Sequence, residues 1–218
     1  MAYGERLGKL NPLSDEYITA LLQSDAPDAA ALLDLACGRG DRLRALELAF
    51  PEFKLCGIDL DRANAEIAAD VCAGAEILVG DAASLPYADG SFDAVLCECS
   101  FSLFDRPEDC AAEIARVLRP GGVLLLGDLY ARRDSLSSAM IERSRTIRMI
   151  YGREALERFF LSAGLTPDGF DDHSGDLAQM LGQMVLDGVL CDCLEPDTLA
   201  EMKRLGTGYG LWLFQKQN

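Results

Sequence analysis

Residues 31–59 read ALLDLACGRGDRLRALELAFPEFKLCGID. An apolar run, Ala31 to Ala36, ends in a turn carrying Gly38 and Gly40. A segment with apolar residues at helical spacing follows (Leu43, Leu46, Ala49, Phe50), and then a second short run, Lys54 to Ile58, closed by Asp59. That order is a β-turn-α-β unit. Glycine in the turn lets backbone approach a ligand closely. A carboxylate ending the second strand, 21 residues beyond Gly38, is placed to accept both hydroxyls of a ribose. The unit is expected to hold an adenosine-containing cofactor.

What the turn lacks narrows the choice. A dinucleotide site needs G-x-G-x-x-G, but the third glycine position is Leu43, and no Lys-Ser or Lys-Thr pair makes a phosphate loop. The turn is not built for a pyrophosphate. The pattern D-x-x-x-G-x-G, formed by Asp34, Gly38 and Gly40, instead resembles motif I of the class I S-adenosylmethionine-dependent methyltransferases. One departure is that the family's usual first glycine is Ala36 here, which makes the turn slightly more crowded. A second stretch, ARVLRPGGVLLLGDLY (residues 115–130), resembles the helix, Pro-Gly-Gly turn and fifth strand of the ubiquinone-methyltransferase-like branch. Matching motifs cover about residues 31–130.

The resemblance implies a Rossmann-like α/β fold, a seven-stranded mostly parallel sheet with helices on both faces. It also implies S-adenosylmethionine as cofactor and S-adenosylhomocysteine as product. Asp34 would orient the methionine amino group, Asp59 the ribose, and Leu60 would pack on the adenine face. Asp81 and the Ala82 amide would meet the adenine edge. Ala36, Gly38, Gly40 and Cys97 complete the expected cofactor wall.

Composition sets outer limits. At 218 residues and 50% hydrophobic, the chain suits one sizeable domain rather than disorder. Residues 1–30 are expected to be an N-terminal cap, 31–130 the cofactor-binding core, and 131–218 substrate-side helices and last strands. No apolar run reaches about 18 residues, and the opening MAYGERLGKL lacks an apolar signal core. A soluble cytoplasmic protein without a membrane partner is expected. Eight cysteines contain no C-x-x-C pair, which favours reduced thiols and no structural metal. A net charge of −16 repels a phosphate backbone, so a small-molecule substrate is expected rather than nucleic acid. One segment runs the other way. Arg132 to Arg158 holds seven arginines against four acids, either a solvated helix face or a surface for an anionic substrate or partner.

Taken in order, the chain reads as a helix after Ser14, Asp15 and Glu16. After Asp59 come a helix over Arg62–Cys72, a strand over Ala75–Val79, and a strand over Phe92–Cys99 that is apolar enough to be buried on both faces. Pro107–Arg119 is an amphipathic helix stopped by Pro120-Gly121-Gly122, with a strand from Val123. Further on, Ser135–Ile150 and Arg153–Ala163 are predicted as helices, Leu165–Phe170 as the sixth strand, and Tyr209–Gln215 as the last. Ser174–Gly208 is predicted as a helical insertion over the substrate side, being longer than ordinary connections.

Methyl transfer is an in-line displacement in which the protein chiefly positions the reactants, so it needs no strong catalytic motif. Two side chains are candidates all the same. His173 has a pKa suited to a general base, against a capping or surface role. Cys99 stands where the arsenite methyltransferases, which the chain also resembles, keep a cysteine; Cys191 and Cys193 would then supply further soft ligands, against plain burial. Tyr3 and Tyr17 are candidates to cover the methionine end. A small-molecule methyltransferase competes with a non-catalytic adenosyl-binding or protein-interaction domain.

Overall fold

The computed structural model describes residues 11–25, 30–135, 138–140, 147–187 and 196–217. Helix α1 (Asp15–Asp25) precedes β1 (Ala31–Leu35), α2 (Asp41–Ala49), β2 (Lys54–Asp59), α3 (Arg62–Val71), β3 (Glu76–Val79) and β4 (Phe92–Glu98). Then come α4 (Pro107–Val117), β5 (Leu118–Ala131), β6 (Ser138–Met140), β7 (Met149–Gly152), α5 (Arg153–Ser162) and β8 (Leu165–Asp172). Two helices, α6 (Ser174–Leu186) and α7 (Pro196–Leu205), lead into β9 (Thr207–Lys216).

Strands pair in the order β3-β2-β1-β4-β5, all parallel, with β9 antiparallel on β5 and β8 antiparallel on β9. This is the mostly parallel seven-stranded sheet that the sequence predicts, and α6 and α7 are the helical insertion before the last strand. Side-chain parity makes three layers of it. Leu33 and Leu35 of β1, Val95 and Cys97 of β4, and Leu124 and Leu126 of β5 pack with Ile114 of α4 and Phe160 of α5. Their neighbours Leu32, Ala94, Leu96 and Leu125 face Ile18 and Leu22 of α1, Leu46 of α2 and Leu177 of α6. A strand covered on both faces must be apolar at successive positions, which is why β1 and β4 read as nearly unbroken runs. Asp34 in β1 and Glu98 at the end of β4 interrupt these runs, and so does Asp93. Its carboxylate accepts from the Ala30 and Ala31 amides at 2.7 Å and pairs with Arg119 at 2.6 Å, tying together the starts of three central strands.

One predicted element is corrected. The helix expected over 135–150 is a β-hairpin edge in its described parts: β6 pairs antiparallel with β7, and β7 pairs parallel with the end of β5 through Tyr130–Tyr151 and Ala131–Gly152. The last β4 residue paired with β5 is Glu98, opposite Gly127, so β5 runs past its neighbour and β7 takes over that edge. Backbone groups left there without a ladder would be costly, and Ile147 and Ile150 bury against Met202 and Leu205 of α7. These pairings and this burial involve distant parts of the chain, which helical periodicity alone does not reveal.

Candidate active site

The site lies outside the carboxyl ends of β1, β2 and β4, where ligands of open α/β sheets bind. After Leu35 the backbone turns through Ala36 (φ 58°), Gly38 (φ 55°) and Gly40 (φ 82°) into α2. Ala36 and Cys99 (φ 53°) are the non-glycine residues in the left-handed region among those described, and both line the cofactor-sized cavities below. Such backbone costs about 1–2 kcal/mol per residue and concentrates at functional sites. The crowding foreseen at Ala36 is thus expressed as backbone strain.

The two glycines do different jobs. A Cβ on Gly40 would stand 3.0 Å from the Cys72 sulfur and 3.1 Å from Ala68, so α3 packs directly on the turn. At Gly38 a Cβ would meet no protein atom within 4 Å, and the space it would enter is cavity. The Gly38 amide donates to Asp59 Oδ2 at 2.8 Å, while Asp59 Oδ1 accepts from the Asp61 amide at 2.8 Å. The carboxylate that ends β2 therefore clamps the turn after β1 and keeps further lone pairs for a ligand.

Two cavities meet here. The first, of about 650 Å³, is lined by Asp34, Gly38, Arg42, Asn64 and Glu98 among others. The second, of about 590 Å³, runs along Asp59, Leu60, Asp81, Ala82 and Arg106. They share Ala36, Gly38, Asn64, Glu98 and Cys99. Asp34 is 4% exposed, and its Oδ2 has no hydrogen-bond partner among the described residues. Burial first, and then the Glu98 charge, hold its pKa well above the ordinary carboxylate range, against the pull of Arg42. A cationic ligand group would bring it back down. Leu60 is 74% exposed, an apolar side chain laid along the second cavity. Asp81 accepts from the Ala83 amide at 2.9 Å and pairs with Arg106 at 2.7 Å; the amide chiefly, and Arg106 after it, hold its pKa below the usual range despite partial burial.

Four residues were given no role by sequence reasoning. Glu98 takes both the Nε of Arg42, at 2.7 Å, and the Asn11 side-chain amide, at 2.5 Å. Arg42 also reaches Asp15 and the Leu13 carbonyl, so α1 and the segment before it are fastened over the first cavity. Glu98 and Arg42 side chains are only 7% and 10% exposed; a carboxylate closing an otherwise apolar strand was the available signal, because a buried charge requires a partner. Asn64 and Arg106 left no such trace.

Other expected site residues fall elsewhere. The Cys97 thiol faces the α4 side of the core, 3.2 Å from the Ser100 hydroxyl, and lines neither cavity. His173 caps α6 with Nδ1 2.8 Å from Asp176 and Nε2 3.2 Å from the Tyr17 hydroxyl, and that hydroxyl in turn donates to Asp171 at 3.1 Å. Neither His173 nor Tyr17 reaches the cavities, because β8 carries the histidine to the far side of β9 from β4. Cys99 does line both cavities, with its sulfur 3.3 Å from the Tyr209 hydroxyl; burial raises its pKa, so the thiol keeps its proton. Tyr3, Cys191 and Cys193 lie outside the described residues.

A family model described as a methyltransferase domain matches residues 33–126. Over these residues the chain is similar to that family. Among them stand Asp34, the glycine turn, Asp59, Asp81 and Cys99. A fatty-acid O-methyltransferase from Mycolicibacterium smegmatis is 37% identical over 120 residues, 54% of this chain and 43% of the relative. A demethylmenaquinone methyltransferase from Thermotoga maritima is 37% identical over 98 residues, 45% of this chain and 43% of the relative. The aligned part of the chain thus spans less than half the length of these curated relatives. Among solved structures, a geranyl diphosphate methyltransferase in complex with S-adenosylmethionine superposes with a TM-score of 0.69 at 21% identity, over 94% of this chain and 86% of that one. At that identity the likeness is one of fold, and it extends well beyond residues 33–126.

Proposed function

We propose that the protein is an S-adenosylmethionine-dependent methyltransferase that acts on a small-molecule acceptor. The observation that carries this reading is the buried Asp34 Oδ2, without a partner among the described residues, on a cavity wall beside the open cradle at Gly38. A buried polar atom left unpaired is expensive, and the methionine ammonium of this cofactor is the group that would satisfy it. The remaining donor set fits the same molecule. Asp59 has lone pairs for the ribose hydroxyls, Leu60 offers an apolar face to adenine, and Asp81 with the Ala82 amide faces the adenine edge once Arg106 swings away. Ala36 and Gly40 shape the turn.

Bound S-adenosylmethionine supplies an electrophilic methyl group on a sulfonium. Around it the chain holds Asp34 and Glu98, whose negative charge favours the cationic cofactor over its neutral thioether product. The Arg42–Glu98–Asn11 links hold the α1 segment over the first cavity and limit water there. His173 has no part in this scheme. The contact of the Cys99 thiol with the Tyr209 hydroxyl supports a packing role for it over a soft-ligand site. A non-catalytic adenosyl-binding domain would use the same cavities, but a third chamber touching Cys99 favours an acceptor.

The net charge of −16 supports a small-molecule partner rather than nucleic acid, and none of the helices among the described residues is long and apolar enough to cross a membrane. Calorimetry tests the cofactor directly. Heat with S-adenosylmethionine and S-adenosylhomocysteine but not with NAD is expected; binding of NAD alone would end the proposal.

A further inference from the structure

A third cavity, of about 250 Å³, opens from the other side of Cys99. Its walls are mainly apolar, with Leu177, Met180, Leu181 and Met184 from α6 and Met202 from α7. One carboxylate lines it. Asp128, 1% exposed at the end of β5, accepts from the Ser102 amide at 2.7 Å through Oδ2 and from the Leu129 amide at 2.7 Å through Oδ1. The Ser102 hydroxyl and the Phe101 amide also bond to it, and the hydroxyl, on a rotatable bond, can give up its place to a guest. Titratable groups facing it are Cys97 and Cys99 from the end of β4, Tyr151 on β7 and Tyr209 on β9, all pushed upward by burial and so neutral. Burial likewise lifts Asp128 to about 6 against the amides that pull it down.

An acid ringed by thioethers, leucines and neutral hydroxyl and thiol groups is an expensive arrangement. Its donors from the 101–102 turn and Leu129 hold it in place at the cavity wall. A second anion would be repelled there, while a fully apolar guest would leave the carboxylate without exchange for its lost water. Methionine walls suit a flat aromatic guest. The volume falls below the range of about 300–1,000 Å³ of pockets for drug-sized ligands, so the guest is small.

We propose that this chamber binds the methyl acceptor, that the acceptor is a small uncharged aromatic carrying one phenol-like hydroxyl, and that Asp128 is the catalytic residue that receives the hydroxyl proton. The inference rests on the methyl-transfer reading above. In the step, the O–H bond breaks and its proton passes to the Asp128 carboxylate. The oxygen forms the new bond to the methyl carbon, and the pair of the carbon–sulfur bond leaves with sulfur. Asp128 then returns the proton to solvent. A base working near neutral pH with a pKa around 6 combines an open carboxylate with useful proton affinity.

The test uses the full chain and begins without cofactor. By calorimetry, 2-naphthol should bind at least tenfold more tightly than 2-naphthoate or 2-methoxynaphthalene. Asp128→Asn should erase that preference, and Met180→Trp, on a half-buried wall position, should block all three. Carbon NMR of the Asp128 carboxyl should titrate near pH 6 in the free protein and move when 2-naphthol is added. With S-adenosylmethionine present, kcat/KM for 2-naphthol should rise with pH through that region, and Asp128→Asn should flatten the limb. A merely structural Asp128 would change thermal stability without changing ligand preference or the pH limb, and that result overturns the proposal. Equal binding of the three naphthalenes, or binding untouched by Met180→Trp, overturns it as well. Should 2-naphthol bind as expected while S-adenosylhomocysteine does not, the chamber stands and the methyl-transfer reading falls; the reverse pattern removes the chamber and leaves that reading intact.

Discussion

Replacing Asp59 by asparagine separates the two tasks of one carboxylate. In the native protein each oxygen accepts a backbone N–H at 2.8 Å, from Gly38 and from Asp61. Asparagine has nearly the same shape but only one acceptor atom, so one amide is left facing an NH₂ group. A hydrogen bond to a charged group contributes about 1.5–3 kcal/mol, and the side chain is 8% exposed, so water replaces the lost acceptor poorly. Asp59→Asn is therefore expected to destabilise the fold by roughly 2 kcal/mol, a fall in Tm of about 4–8 °C for a chain of this size. Affinity for S-adenosylhomocysteine should drop by about one to two orders of magnitude, as one charge-assisted bond to the ribose is lost. Urea unfolding followed by circular dichroism gives the first quantity. Calorimetry well below the Tm gives the second on folded protein. An unchanged Tm would mean that the carboxylate does not hold the glycine turn; unchanged affinity in the folded variant would mean that the ligand does not reach Asp59.

Gly40→Ala should cost at least about 2 kcal/mol in urea unfolding, since left-handed backbone costs roughly 1–2 kcal/mol for alanine and its Cβ presses on Cys72 and Ala68; a loss below about 0.5 kcal/mol would refute both the strain and the packing assigned to this turn. For Arg106→Ala little change in stability is expected, because a half-exposed ion pair contributes at most about 1 kcal/mol and the Arg106 side chain is 53% exposed. Calorimetry on that variant should find S-adenosylhomocysteine bound as tightly as before or a few-fold tighter, with Asp81 freed for adenine. Weaker binding would mean that Arg106 itself holds the cofactor.

Much of this protein is local in origin and therefore legible in the chain. Apolar runs at Ala31–Leu35 and Phe92–Glu98, glycines at 38 and 40, and acids closing or flanking strands at 34, 59 and 81 specify a parallel sheet with a ligand turn. Each depends on side-chain period or backbone freedom within a few residues. The pairing of β6 with β7 depends instead on where β4 stops beside β5, an accident of register between distant strands, and no helical or strand pattern within those strands records it. Cys97 and Cys99 are two residues apart and share a parity, yet the positive φ at Cys99 sends its thiol into the cavities while Cys97 stays in the core. His173 seemed suited by chemistry alone, but β8 pairs on the outer edge of β9 and leaves it with Tyr17 and Asp176. Glu98, Arg42 and Asp128 gained their roles only when the fold buried their charges together or alone, because desolvation, which sets the cost of a carboxylate and its affinity for a proton, is a property of the packed surroundings and not of the residue.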